Sequence, residues 1–112
     1  MRKRRIDNIK KLNIYEITRK QLDEILIKCS KGEPIDHFLF LAKINNTYVA
    51  LDNEYGECHM EEFYKKNKAI CWLIRTDYSK EELKNLRTSK VDELISNQKY
   101  NLVSNCGDIY GV

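Results

Sequence analysis

Proline occurs once and glycine four times in this chain of 112 residues. So little of either leaves no material for an interdomain linker, and no repeat or low-complexity tract divides the sequence. Four glycines also exclude a glycine-rich phosphate cradle, and no P-loop, nucleophile elbow or H-E-x-x-H motif occurs. No run approaches the ~18 consecutive apolar residues of a membrane helix, and "MRKRRIDNIKKLNIY" lacks the apolar centre of a signal peptide. These absences lead to the expectation of a cytoplasmic protein with no membrane partner. The four cysteines, Cys29, Cys58, Cys71 and Cys106, include no C-x-x-C pair. With that spacing and no secretion signal, neither a disulfide framework nor structural zinc is expected. The cysteines then read as small, mostly buried hydrophobes.

What is present is a globular composition, 42% hydrophobic and 33% charged, sufficient for one modest core. Residues 1–11 read as a basic, flexible arm and residues 12–112 as a single domain. Lys (14), Ile (12) and Asn (10) are abundant. Their codons are A/T-rich, which points to a low-GC bacterium or its phages. The formal net charge of +3 conceals a segregated layout. Residues 1–11 hold Arg2, Lys3, Arg4, Arg5, Lys10 and Lys11 against Asp7 alone. Residues 44–64 hold no lysine or arginine but carry Asp52, Glu54, Glu57, Glu61 and Glu62. Such a layout sets up a field that steers charged partners.

Along the chain, "LNIYEI" (Leu12 to Ile17) reads as a short strand. Thr18 with Gln21 forms a capping box, and Leu22, Ile25, Leu26 and Cys29 make the apolar stripe of a helix that Gly32 and Pro34 end. "HFLFLAKI" suits a central strand, and Asn45-Asn46 a tight hairpin turn to "TYVALD". "NEYG" turns into a polar third strand, "ECHMEEF", placed at or near an edge whose charge discourages further pairing. Ala69, Ile70, Leu73 and Ile74, with Cys71 and Trp72, mark a second helix. Ser79 and Glu82 box the start of a third, which Arg87 to Ser89 divides. The tail reads as a weak strand or ordered coil. The expected fold is α+β, in the order α-β-β-β-α(-α). It has a three-stranded antiparallel meander and helices packed on one face.

The richest chemistry lies in "ALDNEYGECHMEEF", Ala50 to Phe63. On a strand Cys58 and His59 point to opposite faces and do not chelate one ion together. Glu57, His59 and Glu61 share a face, with Asp52 across the hairpin, but no calcium loop is present. The expectation is an exposed acidic face, with Cys58 and Met60 inward and no cofactor or metal. His37, beginning a strand, reads as structural.

The order α-β-β-β-α, "EPIDHFLF" before the first strand of the meander, and "KKNKA" opening the last helix resemble the double-stranded-RNA-binding domain over residues 19–75. That resemblance implies RNA contacts through Lys65, Lys66 and His37. Glu33-Pro34 stands where that family has Gly-Pro, and "GECHMEEF" replaces its glycine-rich third strand. A second pattern runs Ala50-Leu51-Asp52-Asn53-x-x-Gly56-x-Cys58-x-x-Glu61-Glu62-Phe63-x5-Ala69-Ile70-x-Trp72-Leu73. It resembles small uncharacterised proteins of low-GC bacteria and their phages and implies no activity.

Three functions remain in view. The first is a non-enzymatic, phage- or mobile-element-encoded protein. Its acidic hairpin (Asp52, Glu54, Glu57, His59, Glu61, Glu62) docks on a basic partner surface, as an anti-CRISPR-like inhibitor of a defence nuclease would. The second is a nucleic-acid-binding domain using Arg2, Lys3, Arg4, Arg5, Lys65, Lys66 and Lys68. The third is a small enzyme or metal protein.

Overall fold

A computed structural model of the chain describes residues 11–33 and 38–104. Strand β1 (Leu12–Ile17) alternates its side chains, with Leu12 and Ile14 to one face and Tyr15 and Ile17 to the other. Helix α1 (Arg19–Lys31) starts at Thr18. The Thr18 hydroxyl accepts from the Gln21 amide at 3.1 Å, and the Gln21 carboxamide oxygen accepts from the Thr18 amide at 2.9 Å. It stops at Gly32, whose φ of 70° is left-handed and costs glycine nothing.

Strands β2 (Leu39–Ile44) and β3 (Thr47–Asp52) form a hairpin through Asn45-Asn46, in which Asn45 takes a φ of 56°. β4 (His59–Phe63) pairs antiparallel to β3. The helices α2 (Lys66–Ile74), α3 (Lys80–Lys84) and α4 (Thr88–Ser96) then lead to β5 (Tyr100–Val103).

The sheet has five strands in the order β4-β3-β2-β1-β5, with β1 parallel to both β2 and β5. This changes the expected architecture in two respects. The three strands of the 39–63 segment are part of a larger, five-stranded mixed sheet, and the helices lie on both faces instead of one. The reason is the β1-α1-β2 unit: parallel neighbours need a crossover, and the crossover helix must lie against a face. α1 therefore covers one side, where Leu22 and Ile25 meet Ile17, Phe40, Ala42, Val49 and Leu51. The second crossover, α2 to α4, covers the other side and returns the chain to β1's free edge as β5.

Buried on both faces, the centre of β2 is apolar without alternation (Leu39, Phe40, Leu41, Ala42). α2 lies between the sheet and the outer helices α3 and α4, so all six residues from Ala69 to Ile74 are buried. Leu83 of α3 and Val91, Leu94 and Ile95 of α4 close that layer. Full burial of side chains of this size contributes on the order of 1.5–3 kcal/mol each.

Cys29, late in α1, forms a disulfide with Cys58, just before β4. The expectation of unpaired cysteines is corrected here for this pair. With it goes the inference from cysteine usage to a cytoplasmic location. Cys71 is free and buried, as the reading of the cysteines as hydrophobes has it. Cys106, His37, Pro34 and the arm residues Arg2, Lys3, Arg4 and Arg5 lie outside the described residues. Among the described residues no helix is long and apolar enough to cross a membrane.

Candidate functional site: the charged edge strand

β4 is an edge of the sheet, so alternate backbone N–H and C=O groups along it face away from β3. It is reached through a loop organised by two buried side chains. Asp52, 5% exposed, accepts from the Glu54 amide at 3.0 Å. Asn53, 1% exposed, accepts from the Cys58 amide at 3.3 Å through its side-chain oxygen, while its own amide donates to the Phe38 carbonyl at 3.0 Å. Gly56 (φ 77°) and Cys58 (φ 50°) complete the turn in left-handed conformations. Cys58 thereby leaves the extended path, which starts β4 at His59 and not at Glu57.

The facing of β4 follows from its register. Tyr48 pairs with Phe63, Ala50 with Glu61 and Asp52 with His59. Phe63, buried against Trp72 with ring centroids 6.1 Å apart, fixes the odd-numbered residues toward α2. Met60 and Glu62 point to the other face. α1 covers β1 to β3 there, and no β4 residue joins its cluster, so Met60 is 42% exposed. The expected inward Met60 is corrected on this ground.

The acidic residues of the sequence consequently separate. Asp52 is buried and shapes the loop. Glu54 is half-buried, Glu57 and Glu62 are exposed, and Glu61 is half-buried at the strand centre. Glu57 Oε2 lies 2.9 Å from His59 Nε2. Among the described residues, neither Glu61 nor Glu62 forms an ion pair. Beside Glu61 and His59 the edge opens into a cleft of about 680 Å3, closed by Trp72, Tyr78 and the start of α3. Two other acids of this cleft are engaged. Asp77 takes a bidentate pair from Arg75 at 2.8 and 3.0 Å, and Glu82 caps Ser79 at 3.1 Å. The Asp77 hydrogen bond also holds the Arg75 guanidinium above its ordinary pKa. Among the described residues no three His, Cys, Asp or Glu groups gather as an ion would require.

The far end of β4 is basic. Lys65 begins α2 with no side-chain cap, and Lys68 donates from Nζ to the Lys84 carbonyl at 2.9 Å. Lys66 turns away and pairs with Glu16 at 3.4 Å. A second hollow, about 480 Å3, lies between Lys65, Lys68, Lys80 and Lys84, with Tyr64 and Glu62 on its wall. Of the lysines expected from sequence, Lys65 and Lys68 come together and Lys66 does not. Tyr64, Lys80 and Lys84 were not singled out in the sequence. The i, i+4 spacing of Lys80 and Lys84 on one helix face was the available signal.

What fold and site define is a class: an α+β domain with helices on both faces of its sheet and a bipolar, open edge strand. No family model, curated protein or solved structure matches the chain.

Proposed function

We propose that this is a protein-binding module whose β4 edge, with the loop before it, docks on a basic surface of a partner protein. The observation that carries this is the location of Glu61 and Glu62 on an unpaired edge, with Glu57 in the loop leading into it, where Glu61 and Glu62 have no lysine or arginine of their own among the described residues. Carboxylates placed in this way compete for cations that otherwise hold phosphates. The channel of a nucleic-acid-handling defence nuclease offers such a surface. The reading is therefore an anti-CRISPR-like inhibitor, encoded by a phage or other mobile element.

Two of the six sequence candidates now take a different part. Asp52 shapes the loop from within, and His59 is tied to Glu57. Binding of a fluorescent arginine-rich peptide, as a probe of basic surfaces, tests the charge. The Glu57→Gln, Glu61→Gln, Glu62→Gln triple variant is expected to lose tenfold or more in affinity at low salt, with an unchanged far-UV spectrum. Equal affinity of variant and wild type overturns the proposal.

A further inference from the structure

We propose that the hollow between Tyr64 and the lysines of α2 and α3 is a binding site for single-stranded nucleic acid, with one base on Tyr64 and about three neighbouring phosphates neutralised by the lysines. Lys65 and Lys68 come from the start of α2, and Lys80 and Lys84 from α3, so two helices converge on one opening. Glu62 is the one carboxylate on its wall, leaving a clear excess of positive charge. Like charges held together are unfavourable without an anion between them. The fold fixes the position of one of these lysines: Lys68 Nζ donates to the backbone carbonyl of Lys84 at 2.9 Å, at the rim of the hollow.

Tyr64 supplies the second half of the site. It is 81% exposed, the largest exposure of any big hydrophobic side chain among the described residues. It follows Phe63, which is buried and anchors the strand end. An aromatic ring kept in water beside a cluster of lysines is the arrangement on which bases stack while phosphates are neutralised. A volume of about 480 Å3 suits a nucleotide-sized unit. A duplex hides its base faces and cannot use the ring, which favours the single strand. The site lies at the opposite end of β4 from Glu57 and shares only Glu62 with the docking surface proposed above.

Fluorescence anisotropy of a labelled ten-residue oligo(dT) with the full-length protein tests the site. Binding is expected to weaken with salt at a slope of about −2 in log K against log salt, since each neutralised phosphate contributes about 0.7 for single strands. Tyr64→Ala is expected to lower affinity at least fivefold while leaving the slope unchanged. Lys80→Gln with Lys84→Gln, which leaves the Lys68 hydrogen bond to the backbone in place, is expected to flatten the slope by about 1.4. Affinity indifferent to Tyr64 and to the α3 lysines overturns the site, because residues 1–11 then account for any binding. Equal or tighter binding to a duplex of the same length, or to phosphatidylserine vesicles, overturns the single-strand assignment. Absence of binding at micromolar protein and low salt overturns the proposal altogether.

Discussion

Cys71 shows how little a residue's type says until its surroundings are known. It is fully buried in the middle of α2, and burial pushes its thiol up to about 11, against a smaller opposing pull from Arg75. The Cys71 proton is thus held more tightly in the folded state than in the unfolded one. Its contribution to stability is complete below pH 9 and is lost as pH rises from 9.0 toward about 11. A Cys106→Ser protein with its disulfide intact is expected to give no reaction with a thiol reagent at pH 8, and one equivalent once unfolded in urea. Immediate reaction of the native protein would contradict the burial. Asn53 is the polar counterpart: it is buried in order to hold the turn before β4, so its value lies in shaping the backbone.

At the level of elements, the two capping boxes are where local sequence and structure agree most closely. Thr18 with Gln21, and Ser79 with Glu82, each satisfy two amides at a helix start. Thr18→Ala is expected to cost about 1 kcal/mol in urea unfolding, and Gln21→Ala less. No change in the Thr18→Ala midpoint would mean that packing alone sets where α1 begins. These helices, the Asn45-Asn46 hairpin and the apolar run of β2 were legible because each is specified within about ten residues. The facing of β4 is not legible by alternation from Cys58, because the left-handed backbone of Cys58 leaves the strand; Phe63, at the other end, sets it. β5 had no local signature either, since "YNLV" is short and half-exposed and becomes a strand through its partner. In the candidate site, the acidic residues were visible as composition. That Asp52 is buried, or that Lys80 and Lys84 meet Lys65 and Lys68, depends on packing across the whole chain.

For the molecule as a whole, the Cys29–Cys58 bond ties the helix on one face to the loop entering the edge strand, across a separation of 29 residues. A closed loop of that length is expected to contribute about 3–4 kcal/mol by restricting the unfolded chain. Dithiothreitol, or Cys58→Ser, is therefore expected to lower unfolding stability by about that amount. An unchanged urea midpoint after reduction would show that the bond adds nothing. Joining β1 to β5 has a consequence of another kind. Asn13 and Asn101 are hydrogen-bonded cross-strand neighbours although 88 positions apart. On the ribosome, at roughly 5–20 residues per second, β1 therefore waits about 4–18 seconds for its last partner to be made. Throughout that interval one side of β1, beside the apolar centre of the sheet, stays open. The growing chain must pass through that exposed state before it can hide its core.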